Sequence, residues 1–301
     1  MIKRVPHEIK IDPSSIRQTF REINIKLFCC RYWILEEWAC FDLSVPFWRI
    51  YYNTIDGAEI IHNNRVIILN KQNLVIIPPN TSFSTRLNTT DVRSTNESIS
   101  GRKFTEADAL EQIKATNKVD HLFIHFSLGF PLDYAGAGVY CLELTDQKLR
   151  MIEEIIHTCI QDHPFNFFDC LKVNMLIGLC LVQLEHLLTD FKTMDQRIFA
   201  AMAFVNNNYD KMITNDALAT MANMAPNSFA RLFKKATGIT IQQYIIKRRI
   251  ENALNLMHHS DKNLDEIAHD CGFSDRFHFS KAFKKHVHMS PSYYRKNLTL
   301  F

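Results

Sequence analysis

Residues 218–295 write one pattern twice. The first copy runs Leu218-Ala219, a turn at Asn223-Met224-Ala225-Pro226, then Phe229, Arg231, Leu232, Phe233, Lys234 and Lys235, and closes at Gly238-Ile239-Thr240. The second runs Ile267-Ala268, a turn at Gly272-Phe273-Ser274, then Phe279, Lys281, Ala282, Phe283, Lys284 and Lys285, and closes at His288-Met289-Ser290. The offset is 49 before the turn (268 against 219) and 50 after it (283 against 233), which predicts one extra residue near the start of the second copy's last helix. Such a match marks a duplicated supersecondary unit, here a helix-turn-helix.

Each copy has a physical reading. A small residue follows an apolar one where two helices cross, and the turn needs a residue with φ > 0, a place for Gly272 and for Asn223. Ser274 reads as an N-cap, whereas the first copy has Ala225 in the cap position followed by Pro226 at the first helical position. Phe229, Leu232 and Phe233 share one helical face, as do Phe279, Ala282 and Phe283, and these faces go to the core. The opposite faces suit a DNA groove and its phosphate edges. The candidate contacts are Pro226, Asn227, Ser228, Ala230, Arg231, Lys234 and Lys235, then Ser274, Asp275, Arg276, Phe277, His278, Ser280, Lys281, Lys284 and Lys285. A lone Arg is usually a solvated charge; within a duplicated helix-turn-helix, Arg231 reads as a bidentate base contact and Lys281 as a phosphate contact. Phe277 falls on the groove face, where it meets a thymine methyl or is buried by rotation of the helix start. Residues 241–257 contain no Gly or Pro and predict one straight linker helix. At 1.5 Å per residue it spans roughly 25 Å, enough to hold two recognition helices near one duplex turn, ~34 Å, apart.

These residues resemble the AraC-type transcription regulators. The resemblance is carried by Phe229, Arg231, Phe233-Lys234-Lys235 and Gly238, and above all by Ile267-Ala268, Gly272-Phe273-Ser274, Phe279, Phe283-Lys284-Lys285, Ser290-Pro291 and Tyr294-Arg295. Ala225 stands where that family usually has a Ser cap, and His288 where it usually has Gly. The resemblance covers about the last third of the chain and implies double-stranded DNA as partner, with RNA polymerase a further candidate.

Charge agrees with a polyanion partner. The formal net charge is +3, but residues 195–301 hold 15 Lys and Arg against 9 Asp and Glu, a net of +6, leaving −3 for the remainder. At 301 residues and 47% hydrophobic content, the chain can build two cores. Residues 1–15 lack an apolar leader core and the longest apolar run, residues 175–182, is too short for a bilayer, so a cytoplasmic address without membrane contact is expected. The 8 cysteines include no C-x-x-C pair and read as free, mostly buried thiols, which argues against a zinc-bound cysteine cluster ahead of the repeat.

Upstream, residues 1–31 read as a weakly patterned arm. Residues 47–52, 59–61, 65–69 and 74–77 are strand-like and separated by turn clusters, the signature of a barrel or sandwich. Pro78-Pro79-Asn80 ends a strand, and a polar insert over 88–118 reads as a mobile excursion in which only 105–115 is helical, with Asp108 reaching back to a Thr105 cap. A strand resumes over 121–126. Residues 149–160 carry one apolar helical stripe, and a second helix over 165–191 is apolar on more than one side. Its surplus face, with Leu171, Met175, Leu179 and Val182, predicts a homodimer. Lys192-Thr193-Met194 reads as a linker, and residues 195–208 as the first helix of the last domain.

The expected fold class is multidomain α+β: a β-barrel over 1–145, a helical dimerisation segment over 146–191, and an all-α domain over 195–301 with two helix-turn-helix units joined by a linker helix. The barrel, through Pro46-Phe47-Trp48-Arg49 and Ile76-Ile77-Pro78-Pro79-Asn80, resembles the cupin-like sensor domain of many AraC-type proteins. That implies a small-molecule effector, commonly a sugar or another metabolite. Trp38, Trp48, Tyr51 and Tyr52 could stack on a sugar, Arg49 could bind an acid or hydroxyl, and His62, Asn80 and His125 complete the candidate pocket, although Trp48 and Arg49 must point to opposite faces. His62, His121 and His125 could meet at a metal, but no H-x-H pair occurs among the barrel strands, so neutral hydrogen-bonded imidazoles are expected and no metal, cofactor or catalytic residue. Two rivals are a constitutive DNA-binding regulator whose barrel only pairs subunits, and a metal-dependent cupin enzyme fused to a DNA-binding module.

Overall fold

The computed structural model describes residues 23–87, 98–161, 163–187 and 194–298. In the N-terminal half, β1 (Lys26–Leu43), β2 (Trp48–Tyr52), β3 (Ala58–His62), β4 (Arg65–Leu69), β5 (Asn73–Ile77), β6 (Phe83–Leu87), β7 (Ser98–Lys103), β8 (Val119–Ser127) and β9 (Tyr140–Glu143) form one antiparallel sheet. Its order is β4-β3-β6-β1-β8-β2-β5-β9, with β7 also paired on β1. The 18-residue β1 organises it, pairing with β8, β7 and β6 and slipping register at Leu27/Cys29, Leu35/Glu37 and Cys40/Leu43. Each slip bends and twists the strand, which curls the sheet into a half-barrel.

Helix α1 (Leu110–Ala115) buries Ile113 in the core beside β8, and α2 (Asp146–Ile160) and α3 (Phe167–Val182) follow the last strand. Ile152, Ile155, Val173, Leu176 and Ile177 of these two helices share one core with Ile34, Ile50, Leu122, Ile124 and Phe126 of the sheet. In the C-terminal half, α4 (Gln196–Asn208), α5 (Asn215–Met221) and α6 (Pro226–Thr237) precede α7 (Ile241–His259), and α8 (Leu264–Asp270), α9 (Arg276–Val287) and α10 (Pro291–Leu298) follow it. Helix α7 is unbroken over 19 residues and opens with a Thr240/Gln243 capping box. Tyr244 and Ile245 near its start belong to one small core with Phe229 and Phe233, while Ile250, Ala253, Leu254 and Met257 belong to another with Phe279 and Phe283. One helix is therefore the common beam of both helix-turn-helix units.

The halves touch through the loop after β8. Phe130 and Tyr134 pack on the first helical core, where Phe130 lies 5.0 Å from Phe199 and the Tyr134 and Tyr244 hydroxyls are 2.7 Å apart. Buried Asp133 shapes this loop, accepting hydrogen bonds from Trp48 Nε1 at 3.1 Å, Ser127 Oγ at 2.5 Å and the Leu128 and Gly129 amides at 2.8 and 3.1 Å.

Several sequence expectations need correction. Residues 26–31 are strand, not arm, because β8 fixes them by backbone hydrogen bonds that do not depend on side-chain pattern; residues 1–22 lie outside the described residues. The insert contains β7, registered on β1 from Trp33↔Lys103 to Ala39↔Ser98, so 98–103 is no excursion, while 88–97 lie outside the described residues. Asp108 does accept from the Thr105 amide and hydroxyl, at 2.9 and 2.7 Å, but it also binds Arg102, so the unit is a turn and α1 starts only at Leu110. Helix α3 stops at Val182, followed by a 3-10 turn over Glu185–Leu187; residues 188–193, with Lys192 and Thr193 of the expected linker, are not among those described. Strands β6 and β9, five and four residues long, lie outside the strands expected from the sequence.

Candidate functional site

Helices α6 and α9 are each 12 residues long. Helix α8 is displaced from α5 by 49 (264 against 215) and α9 from α6 by 50 (276 against 226), so the extra residue sits in the second turn, not in the helix. That residue moves the cap as well. Asp275, not Ser274, is the N-cap of α9; its carboxylate accepts from the His278 amide at 2.7 Å and from Ser274 Oγ at 2.9 Å. The amide bond to His278 holds the Asp275 carboxyl below its ordinary range. In the first copy Ala225 is the N-cap with no side-chain hydrogen bond, and Pro226 occupies the first turn. Asn223 and Gly272 both have positive φ, 52° and 76°. A Cβ on Gly272 would lie 2.4 Å from the Asp210 carbonyl oxygen, so glycine is required there for space as well as conformation.

The faces opposite the two cores are open. Pro226, Asn227, Ser228, Arg231, Lys234 and Lys235 are exposed, as are Ser274 to His278, Lys281, Lys284 and Lys285, whereas Ala230 and Ser280 are half-buried. Phe277 is 81% exposed, so the helix start does not rotate to hide it. Arg276 is paired with Asp265 at 3.0 Å, and Asp275 is committed to capping, which leaves Arg231, Lys234, Lys235, Lys281, Lys284 and Lys285 as the cationic set.

The inner face of the half-barrel carries the second candidate site. Trp33, Leu35, Trp38, Tyr51, Ile99, Ser100, Gly101, His121, Phe123 and His125 line a cavity of about 60 Å³. At the roughly 30 Å³ that a water occupies in the liquid, this is room for about two waters. Of the expected pocket residues it contains Trp38, Tyr51 and His125. Strand alternation sends Trp48 and Tyr52 to the other face, where Trp48 lies 6.0 Å from the Phe126 ring and spends its indole N–H on Asp133. His62 is on the β3–β4 hairpin with Nδ1 2.7 Å from the Ser82 carbonyl, and Asn80 takes a left-handed turn, φ 58°, away from this cavity. The grouping of His62 with His121 and His125 is therefore not formed. His121 is the neutral structural imidazole expected, its Nδ1 2.9 Å from Asn53 Oδ1 and its pKa pushed down to about 3 by burial.

Arg49 is 1% exposed. Its guanidinium lies 4.5 Å from the Phe83 ring and 5.7 Å from Phe47, and Nε and Nη2 have no hydrogen-bond partner. Burial lowers its pKa, opposed by Tyr51, Tyr294 and Cys40 around it. Cys40 and Tyr294 also line a crevice of about 560 Å³ between β1 and the helices α7, α9 and α10, with Asn80, Lys247 and His286. Sequence reasoning missed this crevice because its walls come from distant parts of the chain that carry no shared local pattern. Where the end of α7 meets the barrel, burial holds the imidazoles of His125 and His258 well below their ordinary range and that of His259 at about 4. Among the described residues no helix is long and apolar enough to cross a membrane.

Comparison with known proteins gives a domain and a fold. Residues 218–297 match a helix-turn-helix domain family. The probable transcriptional regulator LumQ of Photobacterium leiognathi is 32% identical over 151 residues, 50% of this chain and 60% of that protein. The transcriptional activator RhaS of Salmonella newport is 30% identical over 113 residues, 38% of this chain and 41% of that protein. The match thus spans about half the length of these relatives. ToxT of Vibrio cholerae superposes with a TM-score of 0.51 at 13% identity, covering 91% of this chain and 100% of that one, and a ToxT structure bound to (E)-4-(8-methylnaphthalen-1-yl)but-3-enoic acid gives 0.50 with the same identity and coverage. The half-barrel followed by a helical domain is the two-domain fold that ToxT has.

Proposed function

We propose that this chain, an AraC-type protein with its helix-turn-helix domain at residues 218–297 and a ToxT-like fold, is a DNA-binding transcription regulator that answers to a small molecule. The observation that carries this reading is the pair of open recognition faces, with Arg231, Lys234 and Lys235 on α6 and Lys281, Lys284 and Lys285 on α9, hung on one unbroken helix. The copies run in the same chain direction, so one subunit grips an asymmetric site across two successive major grooves, about 20 base pairs. Selection of bound duplexes from a random pool by the full-length protein, followed by footprinting, tests it. Enrichment of an asymmetric two-groove site is the expected result; no enriched sequence, or protection of one groove only, overturns it.

Arg49 supports an acid as the effector rather than a sugar. Its Nε and Nη2 have no hydrogen-bond partner and suit a carboxylate, and the rings of Phe83 and Phe47 lie against its guanidinium. ToxT, of the same fold, has been seen with an arylbutenoic acid bound. A panel of organic acids should raise the melting temperature of the full-length protein, and Arg49→Leu should remove that response; no shift across acids and sugars alike would favour the constitutive reading. The apolar stripe of Leu171, Met175 and Val182 on α3, 43%, 51% and 77% exposed with half-buried Leu179 between them, supports pairing with a second copy.

A further inference from the structure

We propose that Cys29, His125 and His259 form a zinc site that ties the half-barrel to the end of the linker helix. Their ligand atoms, one Sγ and two imidazole nitrogens, all lie within 4.8 Å of one another, and His125 Nδ1 is 3.1 Å from His259 Nε2. Two nitrogens about 2.0–2.1 Å from one tetrahedral ion are about 3.3 Å apart, so the imidazoles need to move only by tenths of an ångström.

The geometry is built, not incidental. Cys29 and His125 are cross-strand partners of β1 and β8. The register slip at Leu27/Cys29 frees the strand from strict alternation, so that Phe28 stacks on the His259 ring, 4.7 Å away and inclined by 17°, while Cys29 reaches the same imidazole. Phe47 closes on His259 edge to face at 4.7 Å. The Nδ1–H of His259 donates to the Asn255 carbonyl at 3.0 Å, one helical turn back, which leaves Nε2 as the lone-pair nitrogen facing His125. A backbone carbonyl on the far nitrogen is how ligating histidines are usually oriented. All three ligands are half-buried, and His259 also lines a crevice of about 410 Å³ between the two halves, a route for an ion. A thiolate with two neutral imidazoles suits Zn²⁺ by softness and shape, and the fourth position stays open for water or an anion. Binding releases the thiol proton to solvent and forms one Zn–S and two Zn–N bonds, with no change of oxidation state. The bare alternative is a simple hydrogen bond between the two imidazoles. In that case Cys29 lies nearby only as the cross-strand partner of His125, and the metal titration separates the two.

The site stands apart from the DNA-binding reading, and its test uses none of it. Full-length protein stripped with chelator is titrated with Co²⁺ and then Zn²⁺. The expected result is one Co²⁺ per chain with a thiolate-to-cobalt charge-transfer band, bleached by Zn²⁺. Cys29→Ser should remove the band, and His259→Gln should weaken binding at least about tenfold. A measurement without substitution guards against misfolded variants: Zn²⁺ should slow alkylation of Cys29, read by mass spectrometry, while exposed Cys141 reacts as before. Absence of the band in excess Co²⁺, a band unchanged in Cys29→Ser, or alkylation of Cys29 indifferent to Zn²⁺ would overturn the proposal.

Discussion

The two helix-turn-helix copies have the same two helices, a left-handed residue at the same place in the turn (Asn223 and Gly272) and the same Phe pair on the buried face, yet they close their recognition helices by different means. In the first, α6 starts on Ala225 without a side-chain cap and ends on Gly238 at φ 77°. In the second, α9 starts on a capping Asp275 and ends on His288, held in the left-handed region at φ 65°. Each copy is thus well made at one end and poorly at the other. The first also has the barrel loop against it, through Phe130 and Tyr134, a support that local sequence does not reveal. A duplicated unit can drift in its caps while keeping its buried face, because a cap is worth about 1 kcal/mol and a core Phe about 3–5.

The sharpest way to break the equivalence is at the turn. Gly272→Ala should cost about 3 kcal/mol in chemical denaturation of the full chain, from a left-handed side chain and its clash with Asp210, whereas Asn223→Gly should be near neutral. A cost for Gly272→Ala no larger than that of Asn223→Gly would remove the steric constraint assigned to the second turn. Next in size is the division between reading and gripping. Arg231→Ala should lose about 1–3 kcal/mol at particular base pairs, while Lys285→Ala should weaken binding to every sequence and lower the salt slope by about one. An Arg231→Ala protein that loses equally on specific and random duplexes would end the base-contact assignment. The N-caps come third: Ala225→Ser should stabilise by about 1 kcal/mol and Asp275→Ala should destabilise by a similar amount. If Ala225→Ser gives no gain in the denaturation midpoint, the first turn of α6 does not depend on a side-chain cap. Smallest is His288→Gly, a gain of about 0.5 kcal/mol once the entropy of glycine is set against the relieved strain, seen as a slight rise in melting temperature.

Much of the C-terminal domain was legible from residue spacing. The buried Phe faces, the positive φ at Asn223 and Gly272, the uncapped Ala225 and the unbroken α7 all follow from short-range rules. The cap of α9 was not, since Ser274 and Asp275 are both good caps and only the placement of one inserted residue chooses between them. The barrel was legible as a set of strands but not as a site. Alternation says that Trp48 and Arg49 face opposite ways; it does not say which way is in.

The sequence by itself therefore determined the duplicated helical units, their shared beam and the alternating strands, because helix period, turn conformation and strand period are properties of neighbouring residues. The tertiary structure decided the rest. It turned Arg49 and Tyr51 inward and gave Trp48 to Asp133, made a strand of residues 26–31, and set His259 of the linker helix 3.1 Å from His125 of the barrel. Residues more than a hundred positions apart leave no shared period in the chain. Their meeting is fixed by how curled strands and packed helices close on one another, and that closure is a property of the whole core.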